Sequence, residues 1–409
     1  MKRLAPALAL LAACAGQDPA DEAASTDDEN GADYEPWDGG KSDGTTALGG
    51  PIRFSAACAE GTRITIAAVG DVLLHGPLQQ QATVQPERFR SLWAPVADLL
   101  AAADLTYANL EGPVAPGTSL SGRDIADPGF RYDNVVYTSY PRFNYHPYLA
   151  EDLIETGVDV VSTANNHALD RLSLGADRTL ETLDGAGMPY TGTRRRGEDD
   201  ALWYTTTTAN GVTVAWLACT FSTNQISDRY DQVLGCWEDE TKIKRIIGEL
   251  AASPDIDAVA ITPHWGTEYT ARPTRAQRTL AKSFLEAGAT LILGSHPHVL
   301  QPWEKVVTAD GRETFAIYSL GNFVSGQSDL ARRSTIVLYV GLTKTDEGVK
   351  VNGIRYVPLV MNTREGVRAV EAIDRAGGST ASRRLTVDMF GTENLQDPAM
   401  PVVTTGACD

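Results

Sequence analysis

Arg63-Ile-Thr-Ile-Ala-Ala-Val69 runs straight into Gly70-Asp71, an apolar, β-branched stretch that stops on a carboxylate. Such a run reads as a buried strand with a polar loop at its C-terminal end. The pattern returns along the chain. Leu105-Thr-Tyr-Ala108 ends at Asn109-Leu-Glu111-Gly112, and Val158-Asp-Val-Val161 leads into Asn165-Asn166-His167. Ala258-Val-Ala-Ile261 ends at His264-Trp265, Leu291-Ile-Leu293 at Gly294-Ser-His296-Pro-His298, and Phe315-Ala-Ile-Tyr318 precedes Gly321-Asn322-Phe323. Val212-Thr-Val-Ala-Trp-Leu217 is a further strand. Helices are predicted over 96–103, 148–156, 174–185, 241–251 and 274–287, and a pair of β-hairpin strands over 335–361. Strand, polar loop and helix repeating in that order predict an α/β sandwich.

The polar loop after each strand carries the chemistry. In an open α/β sheet the C-terminal strand ends converge on one rim, where ligands bind. The chain has six histidines, and His167, His264, His296 and His298 lie in such loops, with His75 just after Asp71. Histidines scattered by chance would not choose strand ends. Imidazole, carboxylate and amide oxygen together suit Zn, Mn or Fe, and two-metal hydrolases hold such ions about 3.5–4 Å apart. His146 reads as structural or exposed, Arg194-Arg195-Arg196 as a solvated charge run, and Trp265 and Tyr269 as packing residues or stacking platforms.

The chain has 409 residues, 43% hydrophobic and 22% charged, enough apolar side chain for a sizeable core. Its net charge of −18 argues against a nucleic-acid partner, which needs a basic face. No apolar run after residue 15 approaches the roughly 20 residues of a spanning helix, so the bulk is expected to be soluble. Residues 15–60 hold eleven acids against Lys41 and Arg53 and read as a disordered acidic tether.

Lys2-Arg3 followed by an apolar run to Ala13 forms a short basic-then-apolar leader over residues 1–14. Leu11-Ala-Ala-Cys14 resembles a bacterial lipobox, which makes Cys14 the site of lipidation and tethers an exported protein to the cell envelope. Plain cleavage near 13–15 with an incidental cysteine is the alternative. Cys58, Cys219, Cys236 and Cys408 are an even set with three possible pairings, of which Cys219–Cys236 and Cys58–Cys408 are favoured.

Six ordered blocks carry a family resemblance. Gly70-Asp71-Val-Leu-Leu, Asn109-Leu-Glu111-Gly-Pro-Val114, Ala164-Asn-Asn166-His167-Ala-Leu-Asp170, His264-Trp-Gly-Thr-Glu268-Tyr269, Gly294-Ser-His296-Pro-His298-Val-Leu-Gln-Pro302 and Tyr318-Ser-Leu-Gly-Asn322-Phe323 resemble those of the CapA family of capsule and poly-γ-glutamate synthesis proteins. That family looks like a branch of the calcineurin-like metallophosphatase fold. The resemblance implies an αββα sandwich over 61–340, with the active site at the C-terminal strand ends and a β-rich extension over 341–409. It implies two divalent ions (Mn, Fe or Zn). Asp71 and His298 would bind the first, Asn166, His264 and His296 the second, and Glu111 would bridge them. His167 would protonate a leaving group, and His75, Asn109, Asn322 and Glu268 are further candidates. Two positions depart from the wider fold: Leu73 stands where a histidine ligand is usual, and Ala168 follows His167 where an acid is often found. The implied activity is a metal-dependent hydrolase or transferase acting on a phosphoester or an amide-linked anionic surface polymer, alongside cell-envelope synthesis or export proteins. The alternative is a non-catalytic component of capsule machinery that binds or exports the polymer.

Overall fold

A computed structural model describes residues 48–377 and 379–405. The described strands of the first half are β1 (Thr62–Leu73), β2 (Leu105–Leu110), β3 (Val160–Ser162), β4 (Tyr190–Thr191), β5 (Tyr204–Ala209), β6 (Val212–Thr220) and β7 (Ala258–His264). Those of the second half are β8 (Leu291–Leu293), β9 (Leu300–Val307), β10 (Glu313–Leu320), β11 (Asn322–Ser325), β12 (Ser334–Thr345), β13 (Gly348–Arg364) and β14 (Val367–Ala372). They build two sheets. One runs β14-β13-β12-β1-β2-β3-β4, with β11 paired alongside β1, and the other runs β5-β6-β7-β8-β10-β9. β1, β2, β3 and β4 are parallel neighbours, as are β6, β7, β8 and β10, so each sheet sends a set of C-terminal ends to one rim.

Side-chain alternation along β1 explains the layering. Ile64, Ile66 and Ala68 face the other sheet, in one core cluster with Trp216 and Ile261. Ala67 and Val69 point the opposite way, clustering with Leu149 and Leu153 of the helix Tyr148–Glu155 and with Leu180 and Leu183 of the helix Leu172–Ala186. On the far side Ile243 and Ile247 of the helix Glu240–Ala251, and Leu280 and Phe284 of the helix Arg275–Glu286, cover the second sheet. The expected αββα sandwich is therefore present. Between the sheets the Tyr107 and Trp216 rings stack, their centroids 5.6 Å apart and their planes nearly parallel. Each such buried side chain removes apolar area worth about 1.5–3 kcal/mol from water.

Three expectations need correction. The acidic tether does not extend to residue 60. Residues 48–60 are packed, with Ile52 and Phe54 buried, the Trp303 Nε1–H donating to Gly50 O, and the Ile52 N–H donating to Asn394 Oδ1. The apolar pair Ile52 and Phe54 gives this piece something to bury, which the acidic residues before it lack. The boundary at 340/341 cuts through β12, which pairs with β1 on one side and β13 on the other, so the C-terminal strands are part of the first sheet rather than an extension. The triple arginine is a solvated run only in part: Arg194 is buried while Arg196 is exposed, and Arg194, Arg195 and Arg196 each pair with an aspartate, Asp231, Asp184 and Asp177. Cys219 and Cys236 form a disulfide. Cys58 is disulfide-bonded as well, while Cys408 and Cys14 lie outside the described residues.

Candidate metal centre

β1 delivers Asp71 to the rim through a close backbone approach at Gly70. A Cβ there would sit 1.8 Å from Gly321 O, so glycine alone lets β1 lie against the turn before β11, and the Asp71 N–H donates to Gly321 O at 2.9 Å. β2 ends at Asn109 and Leu110, placing Glu111 just past the strand. Its carbonyl accepts from the Tyr145 hydroxyl at 2.7 Å. Asn166 and His167 come after β3 in a turn held by Asn165, whose Nδ2 donates to Leu110 O and whose Oδ1 accepts the His167 N–H. From the second sheet, β7 ends on His264, and His296 and His298 sit in the turn after β8. Both have left-handed backbone, with φ of 98° and 59°.

The two sets of side chains meet. Asn109 Nδ2 donates to Asp71 Oδ1 at 2.8 Å. His298 Nδ1 faces Asp71 Oδ2 at 3.1 Å and Asn322 Oδ1 at 3.0 Å. Both of those atoms accept, so Nδ1 carries a hydrogen, while Nε2 lies 3.8 Å from Glu111 Oε1. His264 Nε2 lies 2.9 Å from Asn166 Oδ1 and 3.5 Å from Glu111 Oε1, with its Nδ1 3.0 Å from Ser295 Oγ. Three groups offer one ligand atom each within 4.8 Å of one another: Asp71, Glu111 and His298; Glu111, His264 and His296; and Glu268, His296 and His298. The first two share Glu111.

Glu111 is fully buried, yet neither Oε1 nor Oε2 has a hydrogen-bond partner, and His296 Nδ1 is equally unpartnered. A buried carboxylate without hydrogen bonds is costly unless a cation offsets it. The surroundings agree on the sign. Burial favours the neutral acid, but the His298 and His264 imidazoles outweigh it and hold Glu111 well below the usual carboxylate range. Burial, then the neighbouring Glu111, raises Asp71. Burial would lower His298, but Glu111 and the hydrogen bond to Asp71 carry it up to about 9. His296, buried beside His264 and His298, is pushed well down and keeps a neutral ring fit to ligate. The donor set of buried carboxylate, amide oxygen and neutral imidazole fits divalent ions of the Mn, Fe or Zn type.

His167 stands beside this cluster without joining any of the three groups. Its Nδ1 meets Asp170 Oδ2 at 2.7 Å, and its ring packs edge-on against Phe143. Burial lowers its pKa and the Asp170 carboxylate raises it further than that. The acid absent at Ala168 is thus supplied by Asp170, two residues on, across a turn. The signal lay within the block 164–170, but turn geometry decides that the third residue rather than the first returns to the ring. His75 does not join the centre: among the described residues it belongs to none of the groups, and its Nδ1 accepts the Gly326 N–H at 3.2 Å. It cannot stand in for the ligand missing at Leu73, because β1 ends at Leu73 and His75 caps the helix Gly76–Val84 instead. Asn322 and Asn109 touch ligands rather than completing a group, and Glu268 sits exposed at the mouth. Trp265 is fully buried, whereas Tyr269 is 51% exposed.

The model of the bacterial capsule synthesis protein family PGA_cap matches residues 65–327, a span that contains every one of these ligand candidates. The chain belongs to this family. It is 26% identical over 339 residues to the capsule biosynthesis protein CapA of Bacillus anthracis, covering 80% of this chain and 74% of that one. It is likewise 26% identical over 341 residues to the PGA biosynthesis protein CapA of Bacillus subtilis (strain 168), covering 80% and 79%. Among solved structures, a phosphatase from Mycoplasma pneumoniae aligns over 74% of this chain and 95% of its own at 13% identity, with a TM-score of 0.42. A 5'-nucleotidase from Candida albicans SC5314 aligns over 83% and 58% at 12% identity, with a TM-score of 0.40.

Proposed function

We propose that this family member is a metal-dependent hydrolase or transferase of the cell envelope, acting on an amide-linked anionic capsule polymer or a phosphoester. The observation that carries it is Glu111, a buried carboxylate with two unpartnered oxygens shared between two ligand groups. Asp71 and His298 would hold one ion, Asn166, His264 and His296 the other, with Glu111 between them. Divalent ions held there would supply Lewis acidity and an activated water near neutral pH.

The chain's own residues do the rest. Asn109 fixes the orientation of Asp71, Asn322 that of His298, and Ser295 that of His264, each through a side-chain hydrogen bond. Asp170 holds the His167 proton on Nδ1, which would leave Nε2 as the proton-exchanging atom for a leaving group. Phe143 shields that ring on one side. The names of the CapA relatives supply the polymer half of this reading. Lipidation of Cys14, with an acidic leash after it, would keep the folded part at the membrane surface; detergent-phase partitioning, lost in Cys14→Ser, checks the anchor. Among the described residues no helix is long and apolar enough to cross a membrane.

The test is metal content and turnover on the full chain. We expect two equivalents of Mn, Fe or Zn in the wild type and at most one in His296→Ala. His167→Gln should keep its metal while losing on the order of 10²–10⁴-fold in hydrolysis of a γ-glutamyl tripeptide or a phosphodiester. A folded, metal-resupplied protein that binds no ion would sink this reading and leave the polymer-binding or export component.

A further inference from the structure

The loop after β7 and the short helix Leu330–Arg333 meet over the mouth of the metal centre. Tyr269 has left-handed backbone (φ 62°), fixed by its N–H donating to Pro297 O at 2.8 Å, so its ring stands 6.0 Å from the His298 ring. Over that ring lies the Arg332 guanidinium, its Cζ 4.5 Å from the centroid. The Arg332 backbone is tied to the centre too. Its carbonyl accepts from Asn322 Nδ2 at 2.9 Å, and Asn322 Oδ1 is the atom that accepts from His298. Gln327 is drawn into the same wall, its Oε1 accepting from Asn322 Nδ2 at 3.0 Å.

The fold makes little structural use of this guanidinium. Its ion pair uses Nε and Asp329, three residues away, with both side chains about a third or more exposed. Such a pair contributes little to stability. The guanidinium is a planar fork suited to a carboxylate, preoriented by the Tyr269 ring beneath it. In a protein of net charge −18, and at a mouth that also carries Asp329 and Glu268, this guanidinium is a cation that can offer an anionic substrate a directed fork.

We propose that Arg332, held by Tyr269, grips a second carboxylate of an anionic polymer while the reacting group lies at the metal centre. This rests on the proposed function and adds its substrate-reading residue. Successive carboxylates of a γ-linked glutamyl chain are five backbone bonds apart, roughly 6 Å when extended. Tyr269 is a positioning residue here, and Arg332 is the contact.

The experiment is calorimetric titration of the full chain with a γ-glutamyl tripeptide and, separately, with inorganic phosphate, with metal content measured on each sample. Arg332→Gln should weaken the tripeptide about tenfold, shift phosphate less than twofold and leave bound metal unchanged. Arg332→Lys, which keeps the charge and loses the fork, should recover part of the affinity, and Tyr269→Leu should lose part. Unchanged tripeptide affinity in Arg332→Gln would overturn the inference. So would an equal loss for phosphate, which places the guanidinium on the reacting group, or a loss of metal, which makes it structural. The affinity ratio tests Arg332 and the metal stoichiometry tests the centre, so the two readings fail separately.

Discussion

The first sheet brings oxygen to the rim and the second brings nitrogen. Asp71, Asn109, Glu111 and Asn166 come from β1, β2 and the turn after β3, while His264, His296 and His298 come from β7 and the turn after β8. The two sides are also held differently. The oxygen side is fixed by side-chain hydrogen bonds to neighbouring turns, as from Asn165 to Leu110 and from Tyr145 to Glu111. The nitrogen side adds left-handed backbone at His296 and His298, on either side of Pro297, to side-chain hydrogen bonds with Asn322 and Ser295. The two groups that share Glu111 each draw on both sheets, whereas Glu268, His296 and His298 come from the second sheet alone. The centre exists because the sheets face each other, so its affinity for metal is coupled to their packing.

That coupling can be broken at three strengths. Glu111→Gln acts on the atom both sheets share, and metal analysis should find at most one equivalent, bound at least tenfold more weakly. With chelator present the same variant should be less stable in urea than the wild type at neutral pH, since the fold favours the charged carboxylate through His264 and His298. Metal bound at wild-type stoichiometry and affinity in that variant would show that Glu111 serves the fold and not an ion. Trp216→Ala acts on the packing between the sheets, beneath the rim and against Tyr107. It should cost about 3–5 kcal/mol in denaturant unfolding and also weaken metal binding. Unaltered metal affinity would mean that the rim holds itself together.

The smallest effect lies on the oxygen side alone. His146 packs among Phe130, Tyr137 and Tyr148, and its Nδ1 accepts the Tyr148 N–H. Burial pushes its pKa down to about 4, with nearby Asp127 opposing and Arg88 assisting. The folded value lies below the unfolded one of about 6.5. The unfolded state therefore binds the proton first, and stability is lost as pH falls from about 6.5 towards 4. His146→Gln should flatten that part of the stability–pH curve. An unchanged curve would assign the acid sensitivity elsewhere.

The strands that end in functional residues were legible because burial on both faces writes continuous apolar runs, as in Ala258–Ile261 and Leu291–Leu293. Edge elements were not. β9 contains Pro302, which an edge strand tolerates but a sequence reading treats as a break. The helix Gly76–Val84 carries three glutamines in a row and little amphipathic contrast. At the centre, residue types after strands marked the ligand candidates that the fold brings together. Asp170 was invisible as a partner of His167, because a turn and not a helical or strand period brings it back. Arg332 lies nine residues beyond the last motif, and only tertiary packing sets it over Tyr269.

The left-handed backbone at His296 and His298 bears on any attempt to harden this protein. A non-glycine residue there costs on the order of 1–3 kcal/mol, and glycine would relieve it. A library screened for heat tolerance alone, in chelator, would therefore drift toward glycine at both positions and return a tougher protein stripped of two ligand candidates. Under the proposed function, selection has to be run with metal present, so that ligation is set against the backbone preference.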